Sequence, residues 1–315
     1  MTTASLSIVV PSCGRPAELR RCLRATRVQM DADDQLVVVV REGDDETLTI
    51  AESSPRVVIT TVDVPGYAAA LHAGLQIASR QFVAFLDDDA VPHNKWIQQL
   101  KQLFQSMPLV GAVGGRIANF EGIRTSSTFF DKGPVAKVHL TGRLQSRLHQ
   151  IPATRRVEDV DFLPGSNMSY RRELVNIPLE LNRGMAGSLE IELALQVKES
   201  GYRILYDSDI FVEHYPAPRP DYSREDRVRA AYEASFVYMK IIQRHFPLPR
   251  RFMAYAWWIL LGSRELPGIL AWPYLSMKRR PGRARLVASY RGRRDAIVGD
   301  PSVPALPASR PSTPR

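Results

Sequence analysis

Three consecutive carboxylates, Asp87-Asp88-Asp89, follow the apolar run Phe82-Val83-Ala84-Phe85-Leu86 and precede Ala90-Val91-Pro92. A short run rich in Val and Phe, closed by polar residues and Pro, predicts a buried strand with the acids at its end. Neighbouring carboxylates repel one another unless a cation neutralises them. Mg²⁺ and Mn²⁺ accept carboxylate oxygens and leave positions for substrate phosphates. Side chains alternate along an extended chain, so Asp87 and Asp89 share one side and Asp88 takes the other. The competing reading is an exposed acidic turn.

The elements around the triplet are those of an α/β protein. Strands are predicted at Leu6–Val10, Leu36–Val40, Val57–Thr60 and Gln81–Leu86, with helices at Pro16–Val28 and Pro65–Ser79 and a short loop after Val40. Strands alternating with helices imply a mainly parallel, Rossmann-like sheet with helices on both faces. Ligands of such sheets bind beyond the carboxyl ends of the strands. Pro11–Arg15, Arg41–Glu46 and Asp87–Asp89 should therefore line one crevice. Further on, Asn94–Phe104 reads as a helix and Leu109–Ile117 as a Gly-containing strand without the GxGxxG order of a dinucleotide loop. Residues 119–159 read as an irregular polar loop over the site. The segments Asp161–Tyr170 and Tyr202–Val212 bracket the helix Leu189–Ser200. From Tyr222 to Met277 the pattern is helical and increasingly apolar, and residues after Gly299 have a disordered composition.

A chain of 315 residues suits one large domain with an appendage. We expect a main domain over 1–220, a helical C-terminal region over 221–298 and a tail over 299–315. No signal-peptide pattern opens the sequence, and no apolar run reaches the length of a membrane span. Cys13 and Cys22 are the two cysteines, a pattern of reduced thiols, and Cys13 reads as a passive thiol. A cytoplasmic protein is expected. The net charge of +9 sits at the C-terminus, where ten Lys/Arg face two Asp from Lys278 onward. Such a cluster suits anionic lipid headgroups or a solvated tail. It lacks a nucleic-acid fold signature, and no nucleic-acid partner is expected.

The chain resembles the family 2 glycosyltransferases, inverting enzymes of the GT-A fold. The resemblance rests on Ile8-Val9-Val10-Pro11-Ser12 with Arg15, on Phe85-Leu86-Asp87-Asp88-Asp89, and on Leu163-Pro164-Gly165-Ser166-Asn167-Met168. Glu190-Ile191-Glu192-Leu193, Glu199–Ile204 and Glu213-His214 complete it, covering roughly residues 5 to 215. It implies a nucleoside-diphosphate-sugar donor (UDP, GDP or dTDP), Mn²⁺ or Mg²⁺, and transfer to a hydroxyl of a glycan, a lipid-linked sugar or a small molecule. It further implies that Asp89 ligates the metal and that Asp87 meets the ribose or the metal. His214 would be a further ligand, although a surface or core histidine is the alternative. Pro11, Ser12, Arg15, Asp63, Gly66, Asp87 and Asp88 would form the donor pocket, and Gly165, Ser166 and Asn167 would approach the sugars.

Transfer to a hydroxyl needs a general base. The family keeps a carboxylate at the start of the helix after its Gly-rich loop. Here Gly184 and Gly187 precede Ser188, an N-cap candidate that puts Glu190 in the first turn, where the helix dipole favours its ionised form. Glu192 lies about 200° further round, so both cannot face the site. Glu190 is the first choice for base, Glu192 the second, and a solvated helix face the alternative. Leu189 stands where the family's Glu-Asp motif has its Glu. Arg41 stands where the family has a base-recognising Asp, with Glu42 as a substitute or with Arg41–Asp45 as an ordinary charged turn.

At the C-terminus, Trp257-Trp258, Trp272 and Tyr274 beside Lys278-Arg279-Arg280 suit an interfacial contact through 252–294, bringing the enzyme to a lipid-linked acceptor at the inner face of a membrane. Core or dimer packing is the alternative. Two other functions stay open at this level: a sugar nucleotidyltransferase, and a non-catalytic carbohydrate-binding relative.

Overall fold

The computed structural model describes residues 4–119, 135–148, 156–157, 159–183, 188–217, 227–273 and 281–299. Most of the expected loop at 119–159 lies outside them, as do Gly184, Gly187, Tyr274, Lys278–Arg280 and the tail beyond 299.

Within the described residues a nine-stranded sheet carries the site. Its strands are β1 (Leu6–Ser12), β2 (Gln35–Arg41), β3 (Val57–Val62), β4 (Phe82–Phe85), β5 (Ala90–Pro92), β6 (Val110–Asn119), β9 (Arg156–Val157), β10 (Met168–Arg171) and β11 (Arg203–His214); β7 (Ala136–Val138) and β8 (Leu144–Ser146) form a separate hairpin. The order is β3-β2-β1-β4-β10-β6-β11-β5, with β9 beside β11. β1, β2, β3 and β4 pair in parallel, as do β6 and β11, whereas β10 enters antiparallel between β4 and β6. The alternating pattern thus predicts the parallel half correctly. Of the segment Asp161–Tyr170, only the last residues are strand, which runs on to Arg171.

Among the described residues, eight α-helices accompany the sheet: α1 (Pro16–Arg27), α2 (Asp45–Glu52), α3 (Tyr67–Ile77), α4 (Trp96–Ser106), α5 (Leu189–Glu199), α6 (Arg227–His245), α7 (Leu248–Leu260) and α8 (Pro281–Val298). Alternation along β1 separates two cores. Ile8 and Val10 join Leu19 and Leu23 of α1, Ile50 of α2 and Leu100 of α4. Val9 faces the other way and joins Leu71 of α3, Leu193 of α5 and Val237 of α6. A Cβ on Gly74 of α3 would overlap Val9 and crowd Val39, so glycine there lets the helix lie close on the sheet. The C-terminal helices α6 and α7 share this second cluster with the sheet.

α2 replaces the loop expected after β2. Its sequence is charged, but Asp44 caps it by accepting from the Thr47 amide at 3.2 Å. β5 has three residues and carries much of the site's geometry. It pairs antiparallel with the end of β11 in the register His214↔Ala90.

Candidate active site

The acidic triplet begins two residues past β4, at the carboxyl end of the parallel strands, and splits as alternation requires. Asp88 points inward and is fully buried. It accepts from the Ser12 hydroxyl at 2.6 Å and pairs with Arg15. Burial pushes its carboxyl up to about 7, against the pull of Arg15 and Ser12. Asp87 and Asp89 turn to the other side, with one ligand atom each from Asp87, Asp89 and His214 lying within 4.8 Å of one another.

The β5–β11 register sets His214 beside Asp89, and the imidazole donates from Nε2 to Asp89 Oδ1 at 3.0 Å. Asp89 Oδ2 accepts from Arg15 Nη1 at 2.9 Å and from the Ala217 amide at 3.1 Å. Burial opposes charge on Asp89, but these donors, His214 foremost, hold its carboxyl down to about 2. Arg15 therefore lies between Asp88 and Asp89 and keeps its charge there. Tyr67, at the start of α3, donates its hydroxyl to Asp87 Oδ1 at 3.1 Å. Two carboxylates and an imidazole with converging donor atoms fit a hard or borderline divalent cation such as Mn²⁺ or Mg²⁺.

Glu190 and Glu192 diverge on α5. Glu190, with His214, Gly165 and Ser166, lines a cavity of about 390 Å³ whose remaining wall includes Ile117, Leu144, Leu148 and Phe162. Its carboxylate accepts from its own amide and lies near Asp87, Tyr170 and Tyr238. Burial, and then the Asp87 charge, raise the Glu190 pKa above the ordinary value of 4.5. The helix N-terminus favours the ionised form, and burial acts against it. Ser188 occupies the N-cap position but does not cap α5 with its side chain, which instead bonds Tyr238. Glu192 is fully buried on the opposite side, where His245, Arg244 and Gln196 donate to it at 2.9, 3.1 and 2.9 Å.

Asn167 also faces inward. Its amide oxygen accepts from Trp96 Nε1 at 3.0 Å, and its NH₂ donates to the carbonyls of Arg116 and Ile210 at 3.1 and 3.0 Å. The side chain thereby ties α4 to β6 and β11. Pro11 is buried in β1, while Arg41 is half-buried and Glu42 and Asp63 are exposed at the ends of β2 and β3. Asp44 bridges two of these strand ends by accepting from the Gly14 amide at 2.5 Å. Gly66 precedes α3 with φ at +129°, and Asn182 lies over it. Asn182 accepts from the Ala69 amide and donates to the Pro65 carbonyl. Sequence reading did not find Tyr67, Tyr238, His245, Asp44 or Asn182 as site or support residues. Each acts on a partner remote in sequence or outside any motif, so no local pattern marks it.

Comparison with known proteins bears on this geometry. Pre-mycofactocin glycosyltransferase of Mycobacterium tuberculosis, from strains CDC 1551 and H37Rv, is 26% identical over 214 residues, 66% of this chain. The chain spans 42% of the length of these curated relatives. S. aureus TarS (residues 1–349), solved with UDP-GlcNAc, superposes with a TM-score of 0.60 at 15% identity, over 93% of this chain and 81% of TarS. The mannosyltransferase PcManGT of Pyrobaculum calidifontis, solved with GDP-Man and Mn²⁺, superposes at 0.51 with 19% identity, over 93% and 86%. At these identities the structural likeness speaks for the fold, the GT-A arrangement. Residues 4–233 match the family described as "Glycosyltransferase like family 2". That match takes in every strand of the sheet and runs into α6, and the chain belongs to this family of glycosyltransferases.

Proposed function

We propose that this protein is a metal-dependent inverting glycosyltransferase that moves a sugar from a nucleoside-diphosphate-sugar to an acceptor hydroxyl. The observation that carries the reading is that Glu190 faces a cavity also lined by His214, while the acidic triplet ends at that same imidazole. Asp87, Asp89 and His214 would hold Mn²⁺ or Mg²⁺, which when bound neutralises charge on the departing diphosphate. Asp88 positions this set from behind by fixing Ser12 and Arg15.

The acceptor hydroxyl enters the cavity beside Glu190. As its oxygen bonds to the anomeric carbon, its proton passes to the Glu190 carboxylate. The bond from the anomeric carbon to the diphosphate oxygen breaks, and its electron pair leaves with the nucleoside diphosphate. Attack from the face opposite the leaving group inverts the anomeric centre. A carboxylate with a raised pKa is the stronger proton acceptor at neutral pH, provided it is still ionised there. The apolar wall of Ile117, Leu144, Leu148 and Phe162 limits water around the reacting oxygen.

The test is a thermal-shift and nucleotide-release screen of UDP-, GDP- and dTDP-sugars with Mn²⁺, Mg²⁺ or EDTA. The expected result is stabilisation by one nucleotide class only with metal, and nucleotide release that Glu190→Gln removes. Stabilisation that EDTA leaves unchanged would overturn the metal assignment. Unchanged release in Glu190→Gln would overturn the base.

A further inference from the structure

Large apolar side chains exposed to solvent concentrate in one stretch of this chain. On α7, Leu248 is 60% exposed, Phe252 66% and Leu260 46%. With Ala256 they recur every fourth residue and form one stripe along the helix. The 3₁₀ turn that follows (Ile269–Ala271) and Trp272 continue the surface, with Leu270 62% exposed. Between residues 248 and 273, Glu265 is the only acidic residue.

α8 extends this surface with positive charge. Its exposed residues include Arg283, Val287, Tyr290, Arg291, Arg294 and Ile297, spaced along one face. Its one acid, Asp295, accepts from Tyr232 of α6 at 3.1 Å and pairs with Arg294 at 2.6 Å, which leaves Arg283 and Arg291 as the outward charges of this face. The two parts are joined: the Arg283 guanidinium lies 4.8 Å from the Trp272 ring centre. Buried Arg293 donates to the carbonyls of Leu266 and Pro267 at 2.6 and 3.0 Å, fixing the turn against α8.

The same helix backs the site. On the inner side of α7, the Trp258 ring lies 5.1 Å from that of Tyr238, which bonds Ser188 two residues before Glu190. Arg250 donates to the carbonyls of His139 and Leu140 at the tip of the β7–β8 hairpin, at 3.2 and 3.1 Å. Leu144 and Ser146 of that hairpin line the Glu190 cavity, and Leu140 at its tip is 68% exposed.

We propose that the outer faces of α7, the 269–271 turn and α8 dock this protein onto an anionic lipid surface that carries its acceptor. The acceptor clause rests on the glycosyltransferase reading above; the docking clause does not. Aromatic and aliphatic side chains interspersed with Arg suit the headgroup boundary, where the chains bury apolar area and the guanidiniums meet phosphates. None of the helices in the described residues is long and apolar enough to cross a membrane. A second copy on the same face suits it less well, because an isologous contact would bring α8 arginines of both copies together.

Co-sedimentation of the full chain with phosphatidylcholine vesicles, and with vesicles carrying phosphatidylglycerol, tests the docking. Binding to the anionic vesicles alone is expected, weakening with salt. Arg291→Ala should reduce partitioning about fivefold. Phe252→Ser with Leu270→Ser should reduce it at least about tenfold while keeping the wild-type far-UV circular dichroism and a cooperative thermal transition, which shows that the fold is intact. Equal binding to both vesicle types, or no binding, would overturn the proposal. So would a concentration-dependent dimer in light scattering that the Phe252/Leu270 variant dissolves. Glu190→Gln should bind vesicles as the wild type does; vesicle binding without transfer to any lipid-anchored acceptor would remove the acceptor clause alone.

Discussion

Glu190 and Glu192 stand two residues apart on one helix and look in opposite directions, Glu190 into the cavity and Glu192 into a buried socket closed by His245 and Arg244. This divergence divides the labour of α5: one carboxylate is available for chemistry, and the other anchors the helix that carries it.

Glu190→Gln should therefore leave donor binding unchanged and lower kcat by about 10² to 10⁴, the range of a general base. The acidic limb of the kcat–pH profile in the wild type should lie above pH 4.5, because burial and Asp87 raise the Glu190 pKa. Steady-state kinetics across pH checks both statements. A kcat that survives in Glu190→Gln would send the search for the base elsewhere.

Glu192 is expected to matter for stability. Removing a fully buried carboxylate strands His245, whose two ring nitrogens reach Glu192 and Glu199 at 2.9 and 2.8 Å. Arg244 keeps some access to water, which reduces the loss, so Glu192→Ala should cost about 2–3 kcal/mol in urea unfolding. Glu192→Asp should recover part of it.

The same socket has a pH signature. Burial opposes charge on His245, but Glu192 and Glu199 raise its pKa overall; burial likewise opposes charge on Glu192, but His245 lowers its pKa overall. The His245 contribution is complete below the ordinary value of 6.5 and fades as pH rises through the raised one. The Glu192 contribution is complete above 4.5 and fades as pH falls through the lowered one. The pair is thus strongest between these two values. His245→Gln should flatten the loss of stability on the alkaline side, as measured by Tm against pH, and an unchanged slope would count against the socket.

Asp89→Asn should weaken metal-dependent donor binding at least about tenfold, read by titration calorimetry with Mn²⁺. EDTA should mimic the variant in wild type. Asp88→Asn should act differently, lowering stability through Ser12 and Arg15 as well as disturbing the site, because that carboxylate faces the core.

Gly66→Ala should destabilise by about 2 kcal/mol. A φ of +129° suits glycine, and a Cβ there would overlap the Asn182 side chain that holds the start of α3. Thermal unfolding reads the loss, and a second change, Asn182→Ala, should relieve only the overlap.

The parallel half of the sheet was legible in the sequence because its strands are short apolar runs; β1, β2 and β4 came out within about two residues. The two faces of the acidic triplet followed from alternation, and the divergence of Glu190 and Glu192 from helical period. Much of what the sequence concealed was set by partners far along the chain. Asp88 and Asn167 sit in motifs whose resemblance implied ligand contacts, but Ser12, Arg15 and Trp96 draw their side chains inward. α2 was hidden by its charged composition, since its start depends on the Asp44 cap rather than on apolar periodicity. β5 has three residues, too few for a pattern, yet its register with β11 is what brings His214 to Asp89.

The antiparallel insertion of β10 also has a consequence for how the chain is made. β4 is complete by residue 85, but its second neighbour is β10, at residues 168–171. During synthesis at about 5–20 residues per second, that edge of β4 waits several seconds for its partner to emerge. An apolar strand with an open edge is prone to pair wrongly in that interval. The acidic triplet stands at the end of this waiting strand, where its mutual repulsion discourages two nascent chains from zipping together. The three charges would, on the ribosome, act first as a guard against aggregation.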